Sequence, residues 1–137
     1  MMEFIITCDG GSLNNQIAEK REGYGSYMVN SPGKVNKIRR LKFGKGVTNN
    51  EAEYMALISA LTMISDSFTA VAINLKTIKL TVRSDSQLVI GQLSKGHKVN
   101  ALNLRPLVDE ASALCNQFFH VQFEQITGDE MKLILGH

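Results

Sequence analysis

No stretch of this sequence reaches 18 apolar residues, so no transmembrane helix is expected. The apolar opening, Met1 to Gly11, is too short to span a bilayer and lacks the basic flank of a secretory signal. Internal repeats, low-complexity tracts and linkers are also missing. Cysteine is scarce. Cys8 and Cys115 lie far apart without metal-ligand spacing, which points to two buried thiols and away from a zinc site. Charge of one sign is lacking too: the net charge of +2 is too small to demand a polyanionic partner. What these absences leave is an intracellular, cytoplasmic globular protein. Its 137 residues, 44% hydrophobic and 20% charged, suit a single domain over residues 1–137 with a sizeable core.

The charges that are present cluster. Lys34, Lys37, Arg39, Arg40, Lys42 and Lys45 crowd one stretch, and Lys95, His97 and Lys98 form a second. Either cluster suits phosphate, and either suits a solvated strand or loop. Residues Phe4 to Cys8 predict a strand ending in a turn at Asp9-Gly10-Gly11-Ser12, and Leu13 to Gly23 a polar loop. Tyr24 to Val29 and Val35 to Phe43 predict two further strands about a turn at Ser31-Pro32-Gly33, the second with an exposed face or edge. A helix is predicted from Glu51 to Ile64, with Ser65 to Thr77 undecided. Ile78, Leu80 and Val82 alternate with polar residues as a fourth strand. Helices over Gln87 to Leu93 and Leu102 to Asn116, a basic turn between them, a strand over Phe119 to Ile126 and a last helix over Gly128 to Gly136 complete the chain. Helical crossovers imply parallel pairing, so the order reads as a mixed five-stranded sheet with helices on both faces.

The chemistry concentrates at Thr48-Asn49-Asn50-Glu51-Ala52-Glu53-Tyr54, the entrance to the long helix. Thr48 with Glu51 has capping-box spacing, and so does Asn50 with Glu53. The first pair suffices, which leaves Glu53 as one carboxylate more than capping needs. Glu53 shares a face with Ala56, Leu57, Ala60, Leu61 and Ile64, where an unpaired acid is costly; its plain alternative is to complement the helix dipole. Asp9 and Asp85 each close a strand. Their plain alternatives are an Asp-Gly turn and the N-cap of the following helix. If strands one and four are adjacent and parallel, both aspartates emerge at one sheet edge, where open α/β sheets bind ligands. Three carboxylates there repel unless a divalent cation neutralises them. An all-oxygen donor set favours Mg²⁺ or Mn²⁺, and two such ions can drive phosphoryl transfer.

Three segments in order, Asp9-Gly10-Gly11-Ser12, Thr48 to Leu57, and Ser84-Asp85-Ser86-Gln87-Leu88-Val89, resemble successive motifs of the type 1 ribonuclease H family. The resemblance runs from residue 4 to about residue 126. It implies a ribonuclease H-like α/β fold, with strands 1–3 antiparallel and strands 4–5 parallel. It implies a divalent-metal-dependent endonuclease that hydrolyses the RNA strand of RNA–DNA hybrids, using two Mg²⁺ or Mn²⁺ ions. Asp9, Glu53 and Asp85 match three of the family's four metal-binding acids. Asn49 and Asn50 match its backbone-contacting asparagines and Gln87 a minor-groove contact, and Gly10, Gly11 and Ser12 are expected to bind nucleic acid as well. Amide side chains suit 2′-hydroxyls and base edges in a wide minor groove.

The sequence departs from the family twice. A basic protrusion is reduced to Ser94-Lys95-Gly96-His97-Lys98, and an ungapped match puts Leu135 where the fourth acid belongs. Asp129 or Glu130 could take that role, although both suit the start of the last helix. His137, a metal ligand and proton carrier by type, is the third candidate and is carried as a catalytic residue. The missing acid keeps a second reading open, a catalytically weak or inactive nucleic-acid-binding module of the same fold. A monomer is expected, and the basic edge strand leaves a dimer open.

Overall fold

The computed structural model describes residues 1–31 and 36–136. The sequence-based assignments to Pro32, Gly33, Lys34, Val35 and His137 lie outside the described residues.

Five strands form one sheet in the order β3-β2-β1-β4-β5. They are β1 (Met2–Leu13), β2 (Glu22–Asn30), β3 (Ile38–Lys45), β4 (Ile78–Ser84) and β5 (His120–Gln125). The first three are antiparallel, and β4 runs parallel to both β1 and β5. Four helices accompany them: α1 (Asn49–Ala70), α2 (Gln87–Ser94), α3 (Arg105–Cys115) and α4 (Gly128–Leu135). The expected mixed sheet and element order are present.

The first strand differs from its sequence reading in a way that matters. Asp9-Gly10-Gly11-Ser12 is not a turn. The strand continues through it to Leu13, paired with β2 as far as Leu13 opposite Glu22. The glycines masked the strand because their β-propensity is low; both are kept small by close neighbours. The turn falls later, where Asn14 takes the left-handed backbone conformation (φ 55°) that asparagine tolerates.

Helix α1 runs six residues beyond the predicted Ile64, since tertiary contacts override the polar composition of its last turns. Ser65 is buried and donates to Gln117 Oε1 at 2.9 Å. Phe68 packs its ring 5.3 Å from that of Phe4. Helix α3 starts later than predicted, at Arg105, because Pro106 fits only the first turn of a helix.

Alternation along the strands builds two cores. Ile6, Cys8 and Tyr27 join the main core with Leu57, Leu61, Leu80 and Val82. Met28, next to Tyr27, faces the other way and packs under α4 with Ile126, Met131 and Leu135. Helices therefore cover both faces, with only the small second core beneath α4. Arg40, from the basic cluster, is spent there: it donates from edge strand β3 to the Leu135 carbonyl at 2.9 Å, at the negative end of α4. Its charge serves the fold.

Replacing Arg40 with Ala removes that charged bond, worth about 1.5–3 kcal/mol. Amide hydrogen exchange should accelerate across α4 and leave the buried amides of α1 unchanged; equal acceleration in both would show that α4 is not separately anchored.

Candidate metal centre and nucleic-acid interface

The site begins where β1 and β4 part. Their parallel ladder ends at Thr7 opposite Arg83. Beyond it β4 turns into α2 and carries Asp85 away, while β1 continues with β2 alone and carries Asp9, opposite Ser26. That divergence opens a crevice at the carboxyl end of the parallel pair.

Glu53 reaches the crevice because α1 lies directly on β1 at Gly10. A Cβ at Gly10 would sit 2.3 Å from the carbonyl carbon and oxygen of Ala52 and 2.6 Å from the Glu53 nitrogen. Only glycine permits this approach. The Gly10 amide donates to the Glu53 carboxylate in turn. Thr48 caps α1, accepting from the Glu51 amide at 3.2 Å, while Glu51 accepts from the Thr48 amide at 2.9 Å. The capping box takes Thr48 and Glu51, so Glu53 is indeed surplus to capping.

Asp85 is likewise released from the role of N-cap. Ser86 caps α2, accepting from Val89 N–H at 3.2 Å, and Ser84 Oγ accepts from Ser86 N–H at 3.0 Å. The flanking serines do the capping, and Asp85 Oδ1 is buried without a hydrogen-bond partner among the described residues.

The three carboxylates, all half-buried, each offer an oxygen within 4.8 Å of the other two. Burial, then the charges of Asp9 and Asp85, push Glu53 from the ordinary carboxylate range up to about 9. A buried, unpartnered oxygen in an all-carboxylate cluster fits a hard divalent cation: this triad can hold one. Cys8 lies beneath. Burial, followed by Glu53, Asp9 and Asp85, pushes its thiol well up. Cys115 is only half-buried, and burial raises its thiol to about 11.

The other predicted site residues lie along the same rim. Asn49 Oδ1 accepts from the Ser12 amide at 2.6 Å, tying the end of β1 to the start of α1. Asn50 is exposed in the first turn of α1, and Gln87 is exposed as the first residue of α2. Gly11 lies beneath Tyr24, whose hydroxyl would be 2.5 Å from a Cβ there. A groove of about 270 Å³ opens beside Asn49 and Asn50, lined also by Asn15, Arg21, Thr48 and Asn103.

Two of the candidates for the fourth acid, Asp129 and Glu130, fall among the described residues. Neither Asp129 nor Glu130 belongs to the carboxylate cluster. Glu130 closes a capping box with Thr127 at the start of α4, a more specific role than the dipole complementation expected of it. Leu135 is fully buried in the α4 core.

Sequence reasoning missed the hydrogen bond from the Tyr54 hydroxyl to Gln92 Oε1 at 2.5 Å, which ties α1 to α2 behind the site. A polar residue amid the apolar face of α2 was its only signal.

Comparison with known proteins agrees with this geometry. The reverse transcriptase-like family matches residues 7–131. Bifunctional protein Rv2228c of Mycobacterium tuberculosis is 30% identical over 125 residues, which is 91% of this chain and 31% of that protein. The chain thus spans about a third of the curated relatives it matches. The solved N-terminal RNase H domain of Rv2228c is 27% identical with a TM-score of 0.76, covering 97% of this chain and 88% of that one. RNase H1 of the archaeon Halobacterium salinarum shares the fold at 24% identity and a TM-score of 0.76, covering 95% and 89%. So does LC11-RNase H1, solved in complex with an RNA/DNA hybrid, at 22% and 0.76, covering 93% and 87%.

Glu53 holds its proton in the fold and loses it on unfolding above its ordinary value near 4.5. Its stabilising contribution is therefore complete below that value and is lost as pH rises toward about 9. In EDTA, Glu53→Gln should match wild type in melting temperature near pH 5 and exceed it by about 3–6 °C near pH 9. Mg²⁺ should raise the wild-type value and leave the variant unmoved. A wild type that melts higher than the variant at pH 9 without metal would refute the repulsive cluster.

Proposed function

This chain belongs to the reverse transcriptase-like family and has the fold of type 1 ribonuclease H, and we propose that it is a divalent-metal-dependent endonuclease that hydrolyses the RNA strand of RNA–DNA hybrids. The observation that carries this reading is the meeting of Asp9, Glu53 and Asp85 within 4.8 Å, with Asp85 Oδ1 buried and unpartnered. Three acids beside a polyanion weaken binding unless cations occupy them, so a site built only to bind would gain nothing from them.

Hydrolysis adds water across one phosphodiester: a bond forms from the water oxygen to phosphorus, the bond from phosphorus to the 3′ oxygen breaks, and a proton ends on that oxygen. Asp9, Glu53 and Asp85 would hold Mg²⁺ or Mn²⁺, which would supply the charge that activates the water and stabilises the departing oxygen. The chain's own work is positioning. The Gly10 contact fixes Glu53 against Asp9, and the Ser84 and Ser86 hydroxyls fix the turn that presents Asp85. Asn49, held by the Ser12 amide, and Asn50 place amides against the strand beside the acids, and Gln87 offers a third from α2. Amides of this kind engage 2′-hydroxyls and base edges of an A-like duplex without reading sequence. The groove lined by Arg21 and the asparagines suits a backbone phosphate. His137 stays a candidate proton carrier for this reaction, and the assignment of all these site residues is part of the proposal.

One observation favours a second reading, a module that binds hybrid and cuts it weakly. Leu135 is buried at the position of the fourth acid, and neither Asp129 nor Glu130 belongs to the triad.

An end-labelled RNA–DNA hybrid, incubated with Mg²⁺ or Mn²⁺ beside single-stranded RNA, double-stranded RNA and duplex DNA, separates the two. The hybrid alone should be cut. Asp85→Asn should lower the rate at least about 100-fold with hybrid affinity retained, Glu53→Gln should be as severe, and Glu51→Gln mild. Binding without cleavage under either metal would select the second reading, and full activity in Asp85→Asn would remove Asp85 from the site.

A further inference from the structure

The face of the sheet that carries Asp9 is only partly covered. Along β1, Asp9, Gly11 and Leu13 share that face, and their partners on β2 are Ser26, Tyr24 and Glu22. Met28, farther along the same face of β2, is under α4, and Arg40, opposite Ser26, is bound to the end of α4. At the far end of the strip two large side chains stay exposed. Leu13 is 58% exposed and Tyr24 36% exposed, rather high values for large apolar side chains in paired strands. They line a groove of about 400 Å³ with Glu22 and Lys42. Lys42 stands opposite Tyr24 in the β2–β3 register.

The strip is built around the tyrosine. Gly11 has no side chain, and a Cβ there would meet the Tyr24 hydroxyl at 2.5 Å, so the ring rests on the β1 backbone. Gly11 is two residues from Asp9 on the same face, about 7 Å along the strand, a distance that one extended nucleotide step covers. An exposed aromatic beside a lysine, continuous with a phosphodiester site, is the chemistry of single-strand binding: bases stack on the ring and the phosphate meets the cation. Glu22 is the carboxylate in this lining. It stands opposite Lys45, so with Lys42 the local balance stays positive.

We infer that the Tyr24–Lys42 strip is a second nucleic-acid contact, which takes unpaired RNA continuing from the strand seated at Asp9, Glu53 and Asp85; the inference rests on the hybrid-cleavage reading above. It makes the protein prefer hybrids whose RNA strand runs past the duplex end. Tyr24 supplies a stacking surface for one base and Lys42 the charge for its phosphate. Arg40 of the β3 cluster is committed to α4, whereas Lys42 lines the groove beside Tyr24.

The test is binding with Mg²⁺ in the Asp85→Asn background, so that no strand is cut. Three hybrids of one duplex sequence are compared: blunt, with a four-nucleotide RNA extension at either end, and with the same extension on the DNA strand. The RNA extension at one end should tighten binding about tenfold, the scale of one stacked base. Tyr24→Leu should abolish that gain, Lys42→Gln should reduce it, and Tyr24→Phe should keep it. Affinity for the blunt hybrid should stay within about twofold in all three, which shows that they fold and leaves the gain as the readout. No gain from either RNA extension, a gain that survives Tyr24→Leu, or an equal gain from the DNA extension overturns the inference. If the blunt hybrid does not bind but single-stranded RNA does, and Tyr24→Leu removes that binding, the strip stands and the hybrid-cleavage reading fails.

Discussion

Everything at this site depends on how closely α1 lies against β1. With the built Cβ at Gly10 only 2.3 Å from the Ala52 carbonyl, helix and strand touch backbone to backbone. The contact does two things. It brings Glu53 to Asp9, and it supplies the Gly10 amide that holds the Glu53 carboxylate in place. Alanine at position 52 and the fully buried Ala56 and Ala60 continue the same close seating along the helix. The acids are thus brought together by the main packing of the protein, and their repulsion is borne by one of its best-packed regions.

That repulsion is the other half of the design. A carboxylate raised to about 9 is one the fold would sooner keep protonated. Arg40, from the basic stretch of β3, is committed to the end of α4. Relief by a bound divalent ion couples occupancy of the site to stability, since a ligand that binds only the folded state stabilises it.

Much of this was legible in the residues. The pairing directions followed from which strands were joined by turns and which by helices, while the adjacency of β1 and β4 was only a condition that the sheet order meets. The surplus carboxylate at Glu53 followed from counting capping partners, and the capping box at Thr48 and Glu51 is present. Asp85 was ambiguous because an aspartate before a helix is a good N-cap; only the placement of Ser84 and Ser86 releases it. Asp9 was misplaced at a strand end because consecutive glycines read as a turn. Their smallness answers to neighbours remote in sequence, Ala52 for Gly10 and Tyr24 for Gly11, which no local pattern displays. The tie between Tyr54 and Gln92, 38 residues apart, was hidden for the same reason.

Cys8 sits under the three acids with its sulfur 3.9 Å from the Arg83 carbonyl oxygen. Alkylation and peroxide oxidation both proceed through the thiolate. The negative groups that make the crevice attractive to cations also suppress that form of the sulfur, and burial adds to the effect. A cysteine at the floor of a metal site would ordinarily be a point of chemical ageing. Here burial and the same carboxylates that define the centre both disfavour the thiolate of its nearest thiol.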